Sequence, residues 1–255
     1  MDLGLAGKHC FVTGASAGIG RGAALALAAE GVLLSISGRN AEALAATRDM
    51  VVARGASVLG VITCDLSQPA GIDTACAAIA RCRPPVDVLV NNAGGGRPYD
   101  LDAPLQTDAW DEAIDLNFTA ARRLAESALP AMRRARWGRI ITITGSLALK
   151  RMNAATPAKA AITSWSRALS IQVAADGITV NCVAPGRINS EQILNRLFPT
   201  EDSRRREIEL NVPAGRFGEP EEIAAVVTFL SSSRASYVTG TMIPVDGGML
   251  RLDLK

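Results

Sequence analysis

His9-Cys10-Phe11-Val12-Thr13 is followed at once by Gly14-Ala15-Ser16-Ala17-Gly18-Ile19-Gly20. The first five residues read as a buried strand, and the glycine-spaced run reads as a turn opening directly into a helix. Each glycine has a physical task in such a unit. Gly14 permits the tight turn, Gly18 lets backbone approach a pyrophosphate, and Gly20 allows close helix–sheet packing. The helix start then offers free N–H groups and a positive dipole end to phosphate.

Outward from this unit, short β-branched runs alternate with Ala/Leu-rich stretches. Helix is predicted from Ile19, strand at Val32–Ser37, helix from Ala41, strand from Ser57, helix from Ile72 and strand at Val86–Val90. A long helix from about Asp108 is expected to break or bend near Pro130. Strands at Arg139–Thr144, Ile178–Val183 and Thr241–Val245 follow, with helices from Pro157 and from Glu219. The strands are nearly continuous apolar runs, as a parallel sheet covered on both faces requires. Repeated strand–helix alternation gives right-handed crossovers and an α/β, Rossmann-type, doubly wound fold. No linker or repeat divides the chain, so residues 1–255 are read as one domain, with a lid-like loop at about 190–213. That loop holds Ile193, Leu194, Leu197 and Phe198, then a charged run with Arg204-Arg205-Arg206 that suits an exposed helix. Ile162, Trp165, Leu169 and Val173 fall on one helical face, suited to core or to subunit contact.

Composition narrows the function classes. Lys+Arg is 27 against Asp+Glu 25 and aromatics are 4%, which gives no basis for binding nucleic acid or an anionic membrane. No apolar stretch is long enough to span a bilayer, and Met1-Asp2-Leu3-Gly4-Leu5 lacks the start of a signal peptide. Five scattered cysteines and a single histidine, His9, argue against disulfides and a metal site and suit a cytoplasmic protein.

The ends of the predicted strands supply the rest of a ligand edge. Gly38-Arg39-Asn40 closes the second strand. An acidic residue there would accept from the ribose hydroxyls of NAD. Positions 37 to 39 have none, and Arg39 suits a 2′-phosphate, so NADP is expected over NAD. Asp65-Leu66 offers an acceptor for the adenine amino group, and Asn91-Asn92-Ala93-Gly94 ends the fourth strand.

With Asn117, Ser146, Lys159, Val180-Asn181, Pro185-Gly186 and Val245-Asp246-Gly247-Gly248, these residues make the chain resemble the short-chain dehydrogenase/reductase family over nearly its whole length. The resemblance implies a seven-stranded parallel sheet, NAD(P)-dependent interconversion of a small carbonyl compound and an alcohol, and a homotetramer or homodimer. It implies cofactor contacts at Gly14, Ser16, Gly18, Ile19, Gly20, Arg39, Asn40, Asp65, Leu66, Asn92, Ala93, Gly94, Lys159, Pro185, Gly186, Ile188 and Ser190. By the same resemblance, Ile188 and Ser190 would face the nicotinamide carboxamide.

One element departs from the family pattern. The family places a tyrosine four residues before its lysine, and the phenol protonates the carbonyl oxygen. Here the lysine is Lys159 and the position four before it is Ala155. The stretch from Ser146 to Lys159 is also shorter than the family's usual spacing, and two departures together indicate a divergent branch. General acid catalysis is worth about 10²–10⁴-fold, so a substitute donor matters. Lys159 is the first candidate, with Ser146 and Asn117 assisting and Tyr99 reaching in from the loop after the fourth strand. A lyase, isomerase or cyclase on the same scaffold, or a nucleotide-binding protein without turnover, are the competing readings.

Overall fold

The computed structural model describes residues 2–96, 107–145, 153–191 and 193–249. Tyr99 and Ser146, two of the expected site residues, lie outside the described residues. Seven strands form one sheet: β1 (His9–Thr13), β2 (Leu33–Gly38), β3 (Ser57–Thr63), β4 (Val88–Asn91), β5 (Gly138–Ile143), β6 (Ile178–Pro185) and β7 (Met242–Val245). Their order is β3-β2-β1-β4-β5-β6-β7 and every pairing is parallel. The strand order reverses between β1 and β4. In sheets of this kind ligands bind outside the carboxyl ends of the strands at that switch point.

Helices cover both faces, which is why β1, β4, β5 and β6 are buried at every position. On one face lie α1 (Gly18–Ala29), α2 (Ala41–Val52) and α8 (Pro220–Ser231). Their Ala23, Ala24, Leu27, Leu44, Val51, Ile223, Val227 and Leu230 share a core with Val12, Val90 and Ile141. On the other face α3 (Pro69–Arg81), α5 (Ala120–Ala135) and α6 (Ala155–Val173) pack over Phe11, Leu89 and Ile140. The α5 stripe of Leu124, Ala125, Ala128, Leu129 and Met132 has the spacing of one helical face. Full burial of each larger member is worth about 1.5–3 kcal/mol. Ile162 and Val173 are buried, and Trp165 and Leu169 pack against this second core, so the apolar face of α6 serves the core.

The expected break near Pro130 does not occur, and α5 runs through it. Pro130 sits on the exposed side of the helix, where the carbonyl that its missing N–H leaves without a partner is open to solvent. The irregularity falls earlier. Between α4 (Thr107–Ile114) and α5 the chain makes one wide turn at Asp115–Thr119, and Asn117 is buried in it. The charged run forms α7 (Glu201–Asn211), capped at its start by Thr200 and Ser203.

The amino edge of the sheet carries polar groups that are satisfied internally. His9 Nδ1 donates to the Pro84 carbonyl (2.8 Å), and Nε2 accepts from Ser35 Oγ (2.9 Å). The buried Arg139 guanidinium donates to the carbonyls of Ser232, Gly138 and Gly177 and stacks on Trp137. Among the described residues no helix is long and apolar enough to cross a membrane, and no three His, Cys, Asp or Glu side chains gather as metal ligands would.

Candidate active site

The glycine turn after β1 is built by close approach. Gly14 has φ +63°, and a Cβ there would meet Asn92 Nδ2 at 2.8 Å. A Cβ on Gly20 would run into the Gly14 carbonyl. The turn is stitched to the end of β4. Thr13 Oγ1 accepts from the Asn92 and Ala93 amides, both at 2.9 Å, and Asn92 Nδ2 donates to the Thr13 and Gly14 carbonyls at 3.0 and 3.2 Å. The Asn92 amide nitrogen therefore shapes the turn rather than facing a ligand. From behind, Thr47 of α2 bonds the Ala15 carbonyl (3.0 Å), and Arg21 donates to the Ser16 carbonyl and to Thr47 Oγ1. Sequence reading missed this bracing, since nothing in the spacing of Thr13, Arg21 and Thr47 announces it. Helix α1 begins without a side-chain cap and without an acidic residue in its first turn, so its amides and dipole stay available to an anion.

Arg39 leaves the end of β2 toward solvent, with its guanidinium 4.0 Å from the Asp65 carboxylate at the end of β3. Asn40 caps α2 by accepting from the Ala43 amide (2.9 Å). Asp65 also accepts from the Ser67 amide (3.0 Å) and hydroxyl (2.8 Å). Leu66 is buried and its side chain belongs to the core.

Past β6, Pro185-Gly186 lies against β7, with the Gly186 amide bonded to the Val245 carbonyl (3.0 Å). A Cβ on Gly186 would press on Asp246. The Ile188 side chain turns into the core, so only its backbone is left for a ligand. Ser190 approaches the glycine turn closely enough that a Cβ on Gly18 would stand 3.2 Å from its own Cβ. Gly18, Arg21, Ser190 and Leu194 help line a cleft of about 270 Å³ between α1, the loop after β6 and the start of α8.

The chemical end forms where β4, β5 and α6 meet. Lys159 Nζ donates to the Thr144 carbonyl at 2.7 Å. Asn117 Nδ2 donates to the carbonyls of Gly95 and Ala113, both at 2.8 Å, and its Oδ1 accepts from the Gly95 amide at 3.0 Å. Gly94 is wedged between them: a Cβ there would lie 3.0 Å from Asn117 Oδ1 and 3.8 Å from Lys159 Cε. Asn117 thus fixes the loop that borders Lys159. Burial of the ammonium pulls the Lys159 pKa from 10.5 down to about 8, and among the described residues no carboxylate pairs with it. Ala155 is buried one helical turn earlier, and a Cβ on Gly96 would come within 2.6 Å of the Ala155 Cβ. Backbone at Gly96 therefore occupies space beside Ala155.

Comparison with known proteins places these features in a wider group. Residues 14–250 match the family model described as enoyl-(acyl carrier protein) reductase. The chain is 38% identical to the 3-oxoacyl-[acyl-carrier-protein] reductase of Salmonella typhimurium over 95% of this chain and 97% of that protein. It is similar in structure to the L-sorbose reductase of Gluconobacter frateurii complexed with NADPH and L-sorbose, with a TM-score of 0.91 and 31% identity over 98% and 99% of the two chains. It is also similar to RhlG of Pseudomonas aeruginosa in complex with NADP, with a TM-score of 0.87 and 33% identity over 96% and 97%.

Proposed function

The chain belongs to the short-chain dehydrogenase/reductase family, and from that premise we propose that it is an NADP-dependent oxidoreductase, interconverting a carbonyl and an alcohol, in which Lys159 handles the proton. The observation that carries this reading is convergence. The glycine turn, Arg39 and Lys159 all stand at the carboxyl edge of one sheet, around the switch point between β1 and β4.

The residues fit the cofactor. Gly14 and Gly20 let the turn close against the end of β4, while Gly18 and the uncapped start of α1 border the open cleft beside Ser190. Gly14, Ser16, Gly18, Ile19 and Gly20 would hold the pyrophosphate, and Arg39 with the Asn40 end of α2 would hold a 2′-phosphate. Asp65 would take the adenine amino group. Ala93, Gly94 and the backbone of Pro185–Ser190 would border the nicotinamide end. When bound, the nicotinamide supplies or accepts the hydride.

This chain's own task is the proton. A lysine held near pKa 8 is close to the working pH, where an acid–base group is most effective. The Thr144 carbonyl keeps its ammonium at the strand end, and Asn117 fixes the loop beside it. Ser146 and Tyr99 remain candidates for polarising the substrate oxygen. Two relatives reduce, by name, a 3-oxoacyl thioester and a ketose, so a panel containing both carbonyl classes is the informative one. Exposed Phe229 on α8 and Tyr237 in the link to the edge strand β7 are consistent with a homodimer or homotetramer. Five unpaired cysteines suit the cytoplasm.

The test is a fluorescence titration with NADPH and NADH, followed by NADPH consumption against the panel. Binding of NADPH tighter than NADH, with turnover of at least one carbonyl, is expected. Failure to bind either nucleotide overturns the proposal.

A further inference from the structure

Helix α7 follows the loop after β6 and has no buried residue along its length. Leu210 on it is 65% exposed, and Leu197 just before it is 48% exposed. A helix in water is not held in place by propensity alone; it needs a packed face. The apolar anchor of α7, Val212, lies just past its end, so polar contacts must hold the body of α7 on the domain.

Beside the bonds of Arg204 to the Phe198 and Pro199 carbonyls, the ion pair that joins α7 to the loop after β6 comes from Arg187. It stands between Gly186 and Ile188, in the loop assigned to the nicotinamide end. Its backbone is fixed: the Arg187 carbonyl accepts from the Gly218 amide (2.8 Å), and the Asn189 amide donates to the Gly218 carbonyl (2.7 Å). From that anchored position its Nε donates to Glu207 Oε1 of α7 at 2.9 Å. The other carboxylate oxygen of Glu207 accepts from Asn211 Nδ2 at 2.7 Å. The Arg187 guanidinium also lies 5.3 Å over the Phe198 ring, which packs on Phe217. Glu207 is only 14% exposed in its side chain, so this pair is sheltered more than the Arg205–Asp202 pair within α7.

We propose that Arg187 is a positioning residue: through Glu207 it latches α7 to the cofactor-side loop and so keeps the segment from Ser190 to Asn211 over the nicotinamide end. The proposal rests on the functional reading above. It extends that reading by naming what couples the substrate-side lid to the cofactor-side loop. Without the latch the lid swings away, and the cofactor's reactive end is left open to water while the glycine turn, Arg39 and Lys159 stay as they are.

The test uses Glu207→Gln and the charge exchange Arg187→Glu with Glu207→Arg. Chymotrypsin reads the lid directly, with sites after Leu197 and Leu210. Glu207→Gln is expected to speed cleavage there about five- to tenfold, in line with loss of one partly sheltered charged hydrogen bond, with the thermal midpoint unchanged. The exchanged pair is expected to restore protection. Bound-NADPH emission adds a spectroscopic readout. Its enhancement is expected to fall in Glu207→Gln while the NADPH Kd stays within about threefold, because the lid shields the nicotinamide without carrying the phosphates. Cleavage unchanged in Glu207→Gln, or not restored by the exchange, overturns the latch. If the parent protein binds no NADPH, the functional reading falls instead, and the cleavage arm alone judges the latch.

Discussion

Replacing Arg39 with alanine should separate the two nucleotides. The guanidinium is 65% exposed and lies 4.0 Å from the Asp65 carboxylate. A charge-assisted pair with phosphate is worth about 1.5–3 kcal/mol when well placed, and solvent screening at this exposure trims it to about 1–2 kcal/mol. At 1.4 kcal/mol per factor of ten, Arg39→Ala should raise the NADPH Kd about 5- to 30-fold. NADH has no 2′-phosphate, so its Kd should stay within about twofold. Asp65 sharpens the contrast, because without Arg39 its charge faces the phosphate unopposed. The effect should shrink as salt screens both charges. Fluorescence titrations of both nucleotides at two ionic strengths provide the measurement. Equal weakening of NADPH and NADH, or no weakening of NADPH, would refute the assignment of Arg39 to the extra phosphate.

Gly96→Ala should destabilise the fold by about 1–3 kcal/mol through its collision with Ala155, and adding Ala155→Gly should recover part of that loss in a denaturant double-mutant cycle. Lys159→Met should abolish turnover yet stabilise the protein at pH 7. Holding the amine at about 8 instead of 10.5 sets an upper bound of about 3 kcal/mol, and loss of its bond to the Thr144 carbonyl reduces the expected gain to about 1–2 kcal/mol. Because the unfolded chain binds this proton more tightly, the lysine's contribution to stability should rise between pH 8 and 10.5, and Lys159→Met should flatten the profile there. Burial holds the His9 pKa below 6.5. Its contribution is therefore full above that value and lost as pH falls through 6.5 and beyond, so urea midpoints should drop on acidification, and less so in His9→Gln.

Much of the fold is legible because its signals are local. The apolar run at His9–Thr13 with glycines behind it fixes β1, the turn and α1, and alternation does the rest. Glu219-Pro220 marks the start of α8, and Ile223, Val227 and Leu230 are buried at the expected spacing. The misplaced irregularity in the long helix has a physical cause. Pro130 looks disruptive in one dimension, but a proline on a solvated face leaves only a carbonyl that is open to solvent. The true irregularity at Asp115–Thr119 is stabilised from outside the helix by the Gly95 backbone, which bonds the Asn117 side chain. Propensity along one segment carries no record of such a partner.

The candidate site divides along the same line. Residues whose role follows from chain geometry, such as Gly14, Gly18 and Gly20, could be named from sequence. Arg187, Thr47 and Gly96 could not, because each acts on a segment distant in the chain. Ala155 shows the consequence most sharply. The sequence puts Ala155 where the family resemblance leads one to expect a tyrosine, and taken alone that suggests an empty space that a tyrosine would refill. The structure instead puts Gly96 backbone beside Ala155 and a buried, weakly acidic ammonium one helical turn away. Ala155 and the Gly96 backbone thus fill one space between them. On that reasoning Ala155→Tyr should give no rate gain, because its ring would have to displace Gly96. A large gain would mean that the loop yields and that the site still has the geometry of a tyrosine-dependent reductase.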